Sequence, residues 1–292
     1  MKSTSLTLLF LSACFAVENR FGIGGALFFG KSNLSTSSST ALNDLGKPDD
    51  SFLKALPLID LNLNLPTGYG TAFLRSGVGE GPSLQAGIRG ESLELYAGVS
   101  PIRRVWKDPY LQRALRTKTR APQYEAGLSY REEKYLISLR GIYTDVREDL
   151  IKERHPELAR DNVTLELGFK YFTKAGDFSI SPGAIISRSF ADGSANSYLL
   201  GGLSLDAIYR AKSYQYGVSI FAQQRFYDSQ DPIFTKTRRD NVAGLNLTYR
   251  ILNFPARGFY LSTVAGISFD NSNIGFYEAQ RGFLGAILGY RW

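Results

Sequence analysis

A chain of 292 residues with a net charge of +7, one His and one Cys offers little for acid–base, metal or disulfide chemistry, because His is the side chain that titrates near neutrality and a bridge needs two thiols. Its 43% apolar content includes 19 Phe and 17 Tyr beside 29 Gly, yet it nowhere reaches the run of about 18 apolar residues that a membrane helix demands. Enzymatic activity, cofactors and helical spans are therefore not expected, and the composition suits an all-β chain.

Residues 1–16 read as a signal peptide. Lys2 supplies the positive start, Leu6 to Leu11 the apolar stretch and Cys14-Phe15-Ala16 the cleavage site. Leu11-Ser12-Ala13-Cys14 also fits the pattern after which lipoproteins are cut and acylated, so Cys14 is either lipidated or removed. Residues 17–292 are then a single domain.

Fourteen segments of period-two alternation follow, at 21–29, 58–65, 69–76, 84–89, 93–99, 124–130, 135–144, 163–171, 178–188, 198–209, 214–225, 243–251, 259–269 and 281–292. In the second, Ile59, Leu61, Leu63 and Leu65 alternate with Asp60, Asn62 and Asn64. A charged or amide group at every other position cannot face lipid, so that face is a lumen. The last segment has Leu284, Ala286, Leu288, Tyr290 and Trp292 on one face and stops there; closing a barrel requires it to pair with the first. The pattern predicts an up-and-down antiparallel transmembrane β-barrel of about 14 strands in the outer membrane, with short periplasmic turns and longer extracellular loops. An even strand number puts both termini on the periplasmic side. Tyr130 and Tyr135, Tyr171 and Phe178, Tyr209 and Tyr214, and Tyr249 and Phe259 bracket the short turns, and with Tyr69, Tyr290 and Trp292 they form the ring expected where side chains meet headgroups. Pro182 interrupts its segment and predicts a bulge or a shifted boundary.

The inward register offers Asp60, Gln85, Arg89, Glu94, Glu125, Arg140, Glu166, Lys170, Asp206, Arg210, Gln223, Arg225, Asn246 and Arg250 as pore-lining candidates. If the hairpin between them closes with Thr144 opposite Asn162, Arg140 faces Glu166 across neighbouring strands.

Two long loops stand out. Residues 100–122 carry Arg103, Arg104, Lys107, Arg113, Arg116, Lys118 and Arg120 against Asp108 alone, a basic extracellular loop suited to lipopolysaccharide phosphates or to concentrating anions at a pore mouth. Asp108-Pro109 predicts a helix start running to about Leu115. Residues 145–161 predict a short amphipathic helix broken at Pro156, burying Leu150 and Ile151 and carrying His155.

Three stretches, Arg20 to Thr40, Leu56 to Asn64, and Trp106-Lys107-Asp108-Pro109-Tyr110 with Arg113, Arg116, Thr117 and Arg120, resemble an uncharacterised family of Gram-negative outer-membrane proteins, porin-like and classed as a domain of unknown function. The resemblance implies an outer-membrane barrel. The function expected is a channel for passive or weakly selective passage of small hydrophilic solutes, anion-leaning through the basic loop. The alternatives are an adhesion or membrane-structural barrel without an open pore, and a hydrolase using His155. Expected partners are outer-membrane lipids, lipopolysaccharide, and the barrel-assembly machinery through the strand ending in Trp292; nucleic acid is not one of them.

Overall fold

The computed structural model describes residues 18–48, 50–78 and 82–292. Residues 1–17, and with them the signal peptide and Cys14, lie outside the described residues. Strands β1 (Arg20–Ser32), β2 (Ser51–Thr67), β3 (Gly70–Val78), β4 (Pro82–Arg89) and β5 (Leu93–Ser100) are followed by the two short strands β6 (Arg104–Trp106) and β7 (Lys118–Arg120). Next come β8 (Gln123–Arg131), β9 (Tyr135–Thr144), the one-turn helix α1 (Ile151–Arg154), β10 (Asn162–Tyr171) and its stub β11 (Thr173–Ala175). The chain closes with β12 (Phe178–Ala191), β13 (Tyr198–Arg210), β14 (Tyr214–Asp231), β15 (Lys236–Leu252), β16 (Phe259–Ser272) and β17 (Ala279–Arg291). Apart from β6–β7, which pair only with each other, each strand pairs antiparallel with its sequence neighbours, and β1 pairs with β17. With β11 counted as the end of β10, the result is a closed barrel of fourteen staves, an outer-membrane architecture that leaves no sheet edge unpaired.

Alternation decides which face meets lipid. Ile23, Leu95, Leu139, Leu165, Leu203 and Leu284 point outward and are exposed, forming the apolar belt a bilayer core requires. Below it the aromatics of the periplasmic turns touch one another, Tyr216 to Tyr249 at 4.8 Å, Phe259 to Tyr290 at 5.1 Å and Tyr290 to Trp292 at 6.2 Å between ring centres. A second ring of exposed aromatics near the extracellular ends, Phe29, Tyr124, Tyr143, Phe190, Phe226 and Phe269, brackets the belt from above. Trp292→Ser is expected to lower the yield of heat-modifiable, folded barrel in detergent gels, because Trp292 anchors the closing strand at the interface. Trp106→Ala should leave that yield intact.

Inside, the sheet is packed by aromatics laid over glycines of neighbouring strands. A Cβ on Gly127 would stand 2.4 Å from the Tyr96 ring, and one on Gly244 2.5 Å from Phe221. Only glycine lets the rings lie that flat against the wall.

The expectation at Pro182 needs correction. Register runs unbroken from Ser181 opposite Asp206 to Gly183 opposite Ser204. On the other side the ladder lapses between Lys170 opposite Gly183 and Thr173 opposite Ile180, without a change of register. The proline, which has no N–H to donate, sits at this lapse. The register shift that does occur is between Phe226 and Gln230 of β14. Strand lengths are unequal: β14 and β15 have 18 and 17 residues, β4 and β5 have 8 each, so the extracellular rim is tall on one side and low on the other.

Candidate functional site

All the pore-lining candidates fall on the inward register, and most of the charged ones stand in contact with an opposite charge. Antiparallel pairing sets Arg140 opposite Glu166 and Thr144 opposite Asn162. The Arg140 guanidinium lies 2.8 Å from the Glu166 carboxylate and 3.7 Å from Glu125. Glu125 in turn accepts from the Gln85 amide, which also accepts from Arg75 Nε at 2.6 Å. Arg75 and Arg89 share Glu94 at 3.0 and 2.7 Å. The result is a ladder of three arginines and three glutamates across six staves. Each charge buried in the wall is offset by a neighbour, since an isolated one would be costly there.

Lys170 pairs with Asp206 at 2.6 Å. Asp60 is shared by Arg20 at 2.9 Å and Arg250 at 3.8 Å, and accepts from Tyr260 Oη at 2.8 Å. Towards the extracellular end Asp240 lies 3.6 Å from Arg225 and 2.7 Å from Arg238. Arg210 sits at the periplasmic lip and donates to Ser179 at 3.2 Å. Arg75 was missed although it lies on the same alternation as Phe73. Arg238 was missed because β15 begins seven residues before the segment that alternation marks.

The basic loop is not a solvated strand of cations, and it forms no helix at Asp108. The Asp108 carboxylate accepts from Tyr110 N at 3.0 Å and pairs with Arg154, an Asx-type turn that takes the capping bond without a helix following. Instead β6 and β7 form a small hairpin. Trp106 is 0% exposed at its base, with Nε1 donating to Ser35 O at 3.2 Å and the Arg116 guanidinium 4.3 Å from its ring centre. Arg116 also donates to Asn33 O at 2.7 Å and to Ser39 O, and burial pulls its pKa down to about 10, still charged at neutral pH. Arg103 is likewise buried, while Arg104, Arg113, Lys118 and Arg120 are exposed and Lys107 is half-buried.

The loop leaves the barrel between β5 and β8 and reaches the loops on the opposite side. Tyr110 Oη lies 2.7 Å from Tyr277 Oη, and its ring is 5.1 Å from Phe276 and 6.2 Å from Phe234. Leu34, Leu42, Ile274, Phe276 and Tyr277 form a small apolar core beneath it. Burial raises the Tyr110 and Tyr277 hydroxyls above the usual tyrosine range, so both stay protonated. The loops therefore make a roof that crosses the extracellular mouth, leaning from the low side of the rim onto the tall side.

The loop 145–161 underpins this roof. Its helix is a single turn that ends at His155, with a 3-10 turn from Pro156, as the proline predicts. Ile151 is buried, but Leu150 is exposed, because one turn of helix presents only one of two adjacent residues to the packing. Arg160 donates to Asp149 at 2.6 and 2.9 Å and to the carbonyls of Trp106 and Lys107 at 2.8 and 2.9 Å. His155 closes the helix through its backbone N–H on Ile151 O. Ser129 and Ser138 face each other in mid-wall, and Ser189 accepts from Thr164 at 2.9 Å.

Residues 18–291 match a family described as "Protein of unknown function (DUF2860)". No curated protein matches the chain. Among solved structures, an outer-membrane channel from Pseudomonas putida F1 is 11% identical with 100% of both chains covered and a TM-score of 0.49. Outer-membrane expressed OmpT of Vibrio cholerae is 10% identical over 94% of this chain and 97% of its own, TM-score 0.45. The outer-membrane channel DcaP of Acinetobacter baumannii is 11% identical over 94% and 97%, TM-score 0.41.

Proposed function

We propose that this chain, which belongs to the DUF2860 family of unknown function, is an outer-membrane channel for passive, weakly selective passage of small hydrophilic solutes. The observation that carries the reading is the polar inner wall, which runs from Arg210 at the periplasmic lip through the Arg75–Glu166 ladder to Arg225 and Asp240 beneath the roof. A barrel that served only as an anchor has no need of six charges in mid-wall, each of which costs desolvation. The exposed cations Arg104, Arg113, Lys118 and Arg120 at the mouth supply a mild preference for anions. The partners of this reading are outer-membrane lipid, lipopolysaccharide phosphates at the same basic rim, and the assembly machinery at the strand ending in Trp292. The roof favours the second reading, an adhesion or structural barrel without an open pore.

Conductance of the purified protein in a planar bilayer separates the two: discrete current steps support the channel, and their absence at saturating protein leaves the closed barrel. Arg140→Gln removes one positive charge and leaves Glu125 and Glu166 less compensated, so the wall gains net negative charge. The expected outcome is a reversal potential shifted toward cations in a salt gradient, with folding retained. Unchanged selectivity in a conducting barrel would remove Arg140 from the path.

A further inference from the structure

Arg104 and Arg120 stand directly opposite each other at the foot of the β6–β7 hairpin, and both are exposed. The backbone bonds from Ala121 N to Arg103 O and from Lys107 N to Thr117 O fall at the odd-numbered pairs. The two arginines are therefore a non-hydrogen-bonded pair, the kind whose side chains lie closest. Like charges so placed repel. No carboxylate pairs with either among the described residues, and Asp145 and Glu148 of the neighbouring loop are taken by Arg147 and Lys107. On the inner ladder Arg75 and Arg89 also lie close, but they share Glu94; the hairpin pair has no such anion, and its geometry calls for one from outside the chain.

The hairpin rises from β5 and β8, and the lipid-facing wall beneath it is hollow. Ala86, Ala97, Ala126 and Gly141 are successive register partners across β4, β5, β8 and β9 on the outward alternation, and they floor an apolar groove of about 610 Å³. Leu95, Leu128 and Leu139 wall it on the periplasmic side. The rings of Tyr124 and Tyr143, stacked at 6.4 Å, stand two residues above Ala126 and Gly141. Height brings the charge and the groove within the span of one lipid. The eight residues of β5, tilted by about 40°, rise roughly 20 Å against an apolar band of about 25 Å. The chain just past Ser100, where Arg104 lies, therefore meets the headgroups, and the groove beneath it lies in the acyl region of a leaflet about 15 Å deep.

We propose that this is a docking site for one phosphorylated lipid of the outer leaflet, the lipid A of lipopolysaccharide, with a phosphate clamped between Arg104 and Arg120 and an acyl chain laid in the groove below. Guanidinium forks match phosphate oxygens, and the chain supplies the contacts that four small side chains leave unmade. The inference rests on the reading of the basic rim as a lipopolysaccharide contact and is independent of conduction. Native mass spectrometry of the purified barrel in detergent tests it, with bisphosphorylated lipid A, its dephosphorylated form and its deacylated sugar phosphate as probes and heat-modifiability as the check on folding. Wild type is expected to bind one lipid A on the order of ten-fold more tightly than the dephosphorylated form, since a charge-assisted hydrogen bond is worth at least that factor. Arg104→Gln with Arg120→Gln should erase the difference. Ala97→Leu with Ala126→Leu, which fills the groove, should weaken lipid A several-fold and leave the affinity for the deacylated sugar phosphate unchanged; Ala126→Leu alone carries the same test if the pair lowers folded yield. A preference for lipid A that the arginine variant abolishes and the groove variants leave untouched overturns the docking site and leaves the rim reading standing. Equal affinity of wild type for lipid A and its dephosphorylated form, or no binding of either, overturns both.

Discussion

Arg160→Ala unfastens the roof while the barrel below it stays closed. The guanidinium is buried with Asp149 and holds the carbonyls of Trp106 and Lys107, at the point where the β6–β7 hairpin meets the loop 145–161. Removing it leaves the buried Asp149 carboxylate without its counter-charge, held only by the Arg160 backbone N–H at 3.0 Å, and takes the guanidinium from both carbonyls, a loss of about 3–5 kcal/mol for a buried pair broken on one side. That exceeds what the small apolar core of five loop residues can spare. Trypsin is expected to cut after Arg113 or Lys118 many times faster than in wild type, unitary conductance to rise, and heat-modifiability to persist. Arg160→Lys should not rescue, because an ammonium cannot present the planar fork that reaches carboxylate and both carbonyls together. Unchanged cleavage and conductance in a folded Arg160→Ala protein would mean that the roof is held elsewhere.

Gly127→Leu blocks assembly of the barrel. The Tyr96 ring lies over Gly127, its register partner, so close that a Cβ would fall 2.4 Å from Cζ and 2.6 Å from Oη. The ring is held in turn by the Arg75 guanidinium, 5.3 Å from its centre, and so by the charge ladder. A leucine there forces the ring off the wall at the cost of overpacking, about 1–3 kcal/mol or more, and disturbs the ladder besides. Folded yield is expected to fall sharply, and Tyr96→Ala in the same chain to restore it. A Gly127→Leu barrel that folds at wild-type yield would show that the ring has room to move.

Legibility in the sequence followed the range of the interactions involved. Alternation is local, so the fourteen staves and the opposition of Arg140 to Glu166 were readable from 135–171 alone, where a hairpin with one greasy face fixes register. The roof was not readable. Trp106 and Arg116 owe their burial to Ser35, Ser39 and Asn33, some seventy to eighty residues earlier, and Tyr110 to Tyr277, 167 residues later. No periodicity signals such contacts, and Asp108-Pro109 satisfies the local rule for a helix start while serving a turn. The one available hint was a tryptophan inside a basic loop, a large apolar surface with no strand to belong to. The upper aromatic ring is legible in the same way, since Phe29, Tyr124 and Tyr143 lie on the outward alternation, but unlike the lower one it has no short turns whose flanking pairs mark it.

The neighbour-by-neighbour cancellation of charge on the ladder fixes how far the wall can be felt. A row of alternating positive and negative groups a few ångströms apart has a field that decays within about the spacing of the charges, shorter than the screening length of roughly 8 Å at physiological salt. Dissolved ions therefore have almost nothing left to screen there. The exposed cations of the roof act at longer range through open water, where salt screens them fully. For the proposed channel, raising ionic strength is accordingly expected to strip any long-range attraction of anions to the mouth while leaving intact the ladder's influence on a solute in contact with it.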